Sequence, residues 1–318
     1  MKIFEIVHSG IFTTIQDLGR HGYQKYGLAV SGSADHYSHR MANLLVGNHE
    51  DAALLEITLL GLKVKALEPA VIAVTGGDLT PTLNGEPLRT WVSVKVEAGD
   101  FIHFKGSRTG CRSYMAVAGG IDVPPVFGSR STDDVGKIGG LNGRSLEKGD
   151  RLKIGDRTGS LDRLSGRSLP PSLIPDYPKD IDVRVILGPQ DDAFSSEAIE
   201  TFFSSEYKVS KDLDRMACRL EGTELKHKTG ADVASEGIFL GAIQIPKNGL
   251  PIVFLVGRRS VGGYTKIGGV ISVDLRKLAQ VKPGDTIRFH KIELAEAHQL
   301  LKEQERTFKI LSTNIRGG

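Results

Sequence analysis

A chain of 318 residues, 40% hydrophobic and 25% charged, is long enough for two ordinary domains with separate cores. A net charge of +3, with the basic residues spread along the chain, argues against a nucleic-acid partner. Two cysteines without a CxxC pair argue against a zinc or disulfide framework, and no apolar stretch nears the length of a membrane span.

Met1-Lys2-Ile3-Phe4-Glu5 puts charge where a signal peptide needs its apolar run, so a cytoplasmic protein is expected. The first predicted helix runs from Ser33 to Val46, with Ser33 as N-cap, Asp35 in the first turn and Gly47 just past the end. Ala34, Tyr37, Met41, Leu44 and Leu45 share one face, while His36, Arg40 and Asn43 form a polar stripe. His36 and His39 lie one turn apart without the intervening carboxylate of a zincin, so they read as surface or first-turn histidines and no metal is expected. Strands follow at Ala70–Val74, Trp91–Val96, Phe101–Phe104 and Ser113–Ala118.

The stretch from Asp156 to Asp180, rich in proline, glycine and serine, reads as a linker between domains at 1–155 and 181–318. Beyond it, strands are expected at Asp182–Leu187, Ile238–Ile245, Pro251–Val256 and Thr286–His290. A helix from Ser196 to Phe203 buries Ala198 and Phe202, and one at Glu293–Gln304 groups Leu294, Ala297 and Leu301 as a C-terminal brace. With 38 glycines and many Val/Ile-rich runs, the fold class is mainly β with minor α.

Two repetitions stand out. Val96-x-x-Gly99-Asp100, Leu146-x-x-Gly149-Asp150 and Val281-x-x-Gly284-Asp285 share one turn pattern; Pro283 and Gly284 suit the centre of a type II turn. Gly128-Ser129-Arg130-Ser131 with Lys137-Ile138-Gly139-Gly140 returns 129 residues later as Gly257-Arg258-Arg259-Ser260 with Lys266-Ile267-Gly268-Gly269, at seven of thirteen positions. That echo points to two related modules.

Familiar nucleotide and nucleophile motifs are missing: no GxxxxGK[ST], no strand-linked GxGxxG, no nucleophile elbow, and no internal Met-Lys pair that could carry biotin. What remains are glycine-punctuated polar loops. Gln16-Asp17-Leu18-Gly19-Arg20 sets an acid and a guanidinium around a flexible residue. Gly128-Ser129-Arg130-Ser131-Thr132 surrounds a fork-shaped cation with hydroxyls, suited to carboxylate or phosphate oxygens. Gly257 to Gly263 carries adjacent Arg258 and Arg259, followed by Tyr264 and Lys266. Each loop alone also reads as an ordinary β-turn with an ion pair.

Together with Ser31-Gly32-Ser33-Ala34-Asp35, Arg40-x-Ala42-Asn43, Gly188-Pro189-Gln190, Asp214-Arg215-Met216, Ser235-Glu236-Gly237 and Gly241-Ala242-Ile243-Gln244, these loops resemble the biotin-dependent carboxyltransferase family. That family includes the PxpC component of 5-oxoprolinase, the KipA proteins and allophanate hydrolase subunit 2. The likeness covers nearly the full chain. It implies two cyclophilin-like β-barrel domains, and a component inactive alone that works with KipI/PxpB-like and PxpA-like partners. It further implies ATP-dependent opening of 5-oxo-L-proline to L-glutamate, with no biotin attached to this chain. The alternatives are a carboxyltransferase acting on a urea-like substrate, or a KipA-type regulator that binds a KipI-like kinase inhibitor.

Opening a lactam needs preorganised cations and N–H donors where negative charge develops. Arg130, Arg258 and Arg259 are the candidates for that role, Asp17 or Glu236 for orienting the lactam N–H or the water, and Gln244 for reading the amide. By position in the family pattern, Arg20, Arg40, Asn43, Ser129, Ser131, Thr132, Gln190 and Arg215 join the expected binding set, with Gly262, Gly263, Tyr264 and Lys266. There are departures. The family loop usually reads Asp-Arg-Gln-Thr where this chain has Gly257-Arg258-Arg259-Ser260, Asp133 stands where a tyrosine is usual, and Ala34 replaces a methionine. The gain of positive charge suggests a more anionic small amide or acid as substrate, unless Asp133 supplies the missing charge.

Overall fold

The computed structural model describes residues 2–317. The chain divides into two compact units: one takes the residues up to His21, Ser31–Tyr177 and the end from Lys309, the other Gly22–Val30 and Pro178–Phe308. In chain order the first holds β1 (Lys2–Ser9), β2 (Phe12–Gln16), α1 (His36–Leu45), β3 (Leu54–Thr58), β4 (Leu62–Ala66) and β5 (Ala70–Asp78). Then come β6 (Pro81–Leu83), β7 (Glu86–Pro87), β8 (Ser93–Val96), β9 (Phe101–Phe104), β10 (Thr109–Val117), β11 (Arg151–Lys153) and the single turn α2 (Leu161–Leu164).

These strands make two sheets, β11-β1-β4-β9-β6-β7 and β2-β3-β10-β5-β8, whose inner faces share one core that includes Ile6, Val64, Ile102, Ile57, Ile72 and Met115. In β4, Leu62, Val64 and Ala66 are buried while Lys63 and Lys65 are half-exposed, the period-two pattern of a sheet with one wet face. β5 and β10 lack that alternation because α1 packs against both, burying Tyr37, Met41, Leu44 and Leu45.

α1 begins later than Ser33. Asp35 is the N-cap, its carboxylate accepting the Ser38 N–H at 3.0 Å, while the Ser33 hydroxyl is 2.7 Å from His39 Nδ1. The delay follows from Ser31 and Gly32, both left-handed at φ 55° and 87°. His39 is fully buried rather than at the surface, and burial pushes its pKa down to about 3, so the ring is neutral. The segment expected as a linker packs in the first unit: Leu164 and Leu169 are buried, and the Ser93 hydroxyl donates to Leu164 O at 2.8 Å. β8 begins only at Ser93, because Trp91 takes a left-handed φ of 58°.

The second unit holds β12 (Asp180–Leu187), α3 (Ser196–Ser204), β13 (Glu206–Leu213), β14 (Ala217–Glu221), β15 (Asp232–Gly237) and β16 (Ala242–Gln244). After these come β17 (Ile252–Phe254), β18 (Val261–Tyr264), β19 (Lys266–Val270), α4 (Leu275–Leu278), β20 (Thr286–Lys291) and the start of α5 (Leu294–Gly317). Seven strands close a barrel in the order β12-β19-β16-β17-β14-β13-β20, with β12 and β20 parallel. Val183, Tyr207, Ile243 and Val253 fill it, and Phe202 from α3 stacks on Phe289 at 4.6 Å. β15 and β18 form a separate two-stranded ribbon.

The strand expected over Ile238–Ile245 shrinks to β16. Gly241 turns left-handed at φ 83°, and the Ile238 N–H continues the β15–β18 register onto Ser260 O instead of joining the barrel. α5 outruns its expected span, and within it Ala297 is buried but Leu294 is exposed.

The three Gly-Asp turns are alike. Gly99, Gly149 and Gly284 have φ of 98°, 91° and 91°, and Asp100, Asp150 and Asp285 each accept the first turn residue's N–H at 2.7, 2.7 and 2.8 Å. The longer echo diverges: Lys137, Gly139 and Gly140 sit in left-handed turns, whereas Lys266–Val270 is β19.

Candidate functional site

In the first unit the polar loops converge on Asp17. Its carboxylate accepts Ser129 Oγ at 2.7 Å, Ser131 Oγ and the Arg130 N–H at 2.5 Å, and the Gly19 N–H at 2.8 Å. Burial alone raises its pKa, but the serine hydroxyls and backbone N–H groups outweigh that and hold it below the ordinary value. Arg20, fully buried, donates to Val126 O and Ser131 O, both at 3.0 Å; burial lowers its pKa, opposed by Asp133 and Asp17. Thr132 Oγ1 donates to Ile15 O, and Arg130 Nε to Val123 O. The expected binding donors of this loop are therefore directed inward, where they fix the loop on an ionised aspartate.

Arg40 and Asn43 sit on α1 with partners of their own. Arg40 pairs with Glu50 at 3.0 Å, and Asn43 bridges Ala52 O and Asn48. One buried constellation escaped the sequence reading: Glu56 accepts the Ala34 N–H and the Tyr114 hydroxyl, with Arg112 Nε 3.9 Å away. Burial raises the Tyr114 phenol well above its usual range, and Asp35 adds to this. The signal was present, as charged residues inside the apolar runs Leu54-Leu55-Glu56-Ile57 and Cys111-Arg112-Ser113-Tyr114.

In the second unit the β15–β18 ribbon sets Glu236 opposite Gly262. Lys266, buried at the start of β19, donates from Nζ to Glu236 Oε1 at 2.5 Å. Gln190 donates to the same oxygen at 2.8 Å and accepts the Lys266 N–H at 3.1 Å. Lys266 first, and then Gln190, holds the Glu236 carboxyl below its ordinary value, although Glu236 remains 42% exposed. Gln244, buried, donates to Tyr264 O at 3.3 Å, and a Cβ on Gly262 would come within 3.0 Å of its Nε2. Gly263 and the partly exposed Tyr264 complete this group. An anchored, ionised carboxylate beside an ammonium and an amide, open to solvent on one side, can orient a water or accept an N–H.

The arginines of this unit lie apart in role. Arg258 is buried, donating from Nε to Ile238 O at 3.0 Å and from Nη1 to Leu255 O at 3.4 Å; desolvation lowers its pKa. Arg259 is exposed. Arg215 is half-buried, desolvation brings its guanidinium down to about 10, and its carbonyl accepts the Gly257 N–H at 2.8 Å. Among the described residues no three His, Cys, Asp or Glu side chains gather to hold a metal, and no helix is long and apolar enough to cross a membrane.

Residues 26–291 match the family model described as carboxyltransferase domain, subdomain A and B. The chain is 37% identical over 313 residues to a protein from Escherichia coli named as the C subunit of 5-oxoprolinase, covering 98% of this chain and 99% of that protein. Its namesake from Haemophilus influenzae is 32% identical over 92% of each chain. The crystal structure of the Kluyveromyces lactis urea carboxylase superposes with a TM-score of 0.91 at 34% identity over 98% of this chain, which spans 29% of that larger protein.

Proposed function

Since the chain belongs to the carboxyltransferase subdomain A and B family, and since a 5-oxoprolinase component of the PxpC type matches it over nearly the whole of both proteins, we propose that it is the PxpC component of an ATP-dependent 5-oxoprolinase. That two-way coverage carries the reading: this chain covers 99% of the Escherichia coli protein but only 29% of urea carboxylase. The reaction is the opening of 5-oxo-L-proline to L-glutamate, in a cytoplasmic complex with KipI/PxpB-like and PxpA-like partners. We read both units as cyclophilin-like barrels.

An unstrained lactam resists water, and ATP supplies the phosphate that makes its carbonyl carbon electrophilic. This chain's loops do not fit a nucleotide phosphate. The Arg130 N–H and both serines are committed to Asp17, and the Gly257 and Arg258 N–H groups to Arg215 O and Leu255 O. No step at the nucleotide is therefore assigned to this chain. Glu236, ionised by Lys266 and Gln190, is the group that orients the lactam N–H or the attacking water. Asp17 is a positioning residue, holding Ser129–Ser131 in place.

The decisive experiment is co-expression with the KipI/PxpB-like and PxpA-like chains and an assay of ADP release. Stimulation by 5-oxoproline is expected, and a well-formed complex that 5-oxoproline leaves silent rejects the reading. The urea carboxylase superposition favours a second reading, carboxyl transfer to a urea-like substrate. It would be revealed by carboxylation that depends on an added biotinylated carrier.

A further inference from the structure

Beside the Glu236 group, Arg258 opens onto a pocket of about 540 Å³ that the proposed reaction leaves unused. Its walls include Lys25, Ile238, Phe239, Arg258, Ser260 and Val261, all within the second unit. Two of these are cations and none is acidic. Glu236, next in the chain to the lining Gly237, is turned to Lys266 and Gln190 instead. Among the described residues no carboxylate pairs with Arg258. Its Nε and Nη1 hold carbonyls, whereas Nη2 has no partner and is not among the sealed polar atoms, so this edge of the guanidinium faces the pocket.

A buried cation left without a counter-charge is costly, and an anion entering from outside removes that cost. The other walls say which anion. Phe239 and Val261, 44% and 54% exposed, give the pocket an apolar wall open to solvent. A phosphate calls for a nest of several backbone N–H donors, and the side chains of this pocket offer one guanidinium edge, one hydroxyl, the Gln24 amide and an ammonium 5.1 Å from the Tyr26 ring centre. The geometry points to a binding site for a small organic carboxylate: Arg258 Nη2 meets the carboxylate, Lys25 supplies the field that draws it in, and Phe239 and Val261 cover its apolar ring or chain. That this carboxylate is the one on 5-oxoproline rests on the proposed function; the pocket's preference for a carboxylate does not.

The test uses the full chain alone and measures binding of cyclopentanecarboxylate, of its neutral amide cyclopentanecarboxamide, and of 5-oxoproline, by calorimetry or ligand-observed NMR. Carboxylates should bind about tenfold or more tightly than the amide, the worth of one charge-assisted hydrogen bond. Arg258→Gln should abolish that preference. Because Arg258 also holds two carbonyls, Lys25→Glu is the independent variant: Lys25 is exposed, and reversing its charge should weaken carboxylate binding several-fold with the melting temperature unchanged. Equal binding of acid and amide, indifference to Lys25→Glu, or displacement by inorganic phosphate at matching concentration would each overturn the site. Carboxylate binding that needs Arg258, in a chain whose complex ignores 5-oxoproline, would reject the function and keep the pocket. Turnover of 5-oxoproline with an unchanged KM in Lys25→Glu would do the reverse.

Discussion

Asp17 and His39 are the side chains in which burial and ionisation most directly set stability. Asp17 sits in the folded chain with a pKa below its ordinary 3.8, so its contribution is fully present above that value and is lost as pH falls from there through the lowered folded pKa. Asp17→Asn keeps the shape but turns an N–H toward donors that need an acceptor. We expect a loss of about 3 kcal/mol at neutral pH and a flatter acid limb in denaturant titrations. His39 works over a higher window. Its folded pKa of about 3 lies below the 6.5 of a free histidine, so stability from keeping it neutral is complete above pH 6.5 and erodes below it. Between pH 7 and pH 5 this one residue removes about 2 kcal/mol. His39→Gln should erase that slope in urea melts; an unchanged slope would place the acid sensitivity elsewhere.

The elements show which parts of the sequence carry their own structure. The Gly-Asp turns were legible because everything they need is local: a glycine at φ near 90° and an aspartate that accepts an N–H three residues back. No atom lies within 4 Å of a Cβ built on Gly99, Gly149 or Gly284, so Gly→Ala at any of them meets only the backbone penalty, about 1 kcal/mol. Three equal shifts in thermal melts are expected. Gly143 gives the contrast: a Cβ there would stand 2.1 Å from Lys137 C, and Gly143→Ala should cost more than twice as much. The strand over Ile238–Ile245 is shorter than its apolar run suggests because Ile238 pairs with Ser260, more than twenty positions away, as the end of the β15–β18 ribbon, and the left-handed Gly241 separates it from β16. His39 misled for a related reason. Its partner Ser33 is six residues earlier, and burial behind α1 is a tertiary fact that helical spacing cannot carry.

At the scale of the whole chain, the loops that would bear chemistry were legible as residue types, but their partners were not. Nothing in Gln190, Glu236 and Lys266, spread over almost eighty residues, shows that one carboxylate oxygen will receive both an amide and an ammonium; the β15–β18 register and the closure of the barrel decide it. Ser129 and Ser131, equally plausible on paper as ligand donors, serve a structural aspartate more than a hundred positions earlier, a pairing that only the folded first unit creates. Glu236→Gln separates the two kinds of residue. The substitution is nearly isosteric and the side chain is 42% exposed, so the fold should survive, while the charge that orients the lactam N–H or the water is gone. In the assembled complex kcat for 5-oxoproline-stimulated ADP release should fall about 100-fold with KM little changed, the range for losing a general acid–base group. A rise in KM with kcat unchanged would make Glu236 a binding group, and no change in either would leave the ribbon as scaffold, moving the chemistry to the partner proteins.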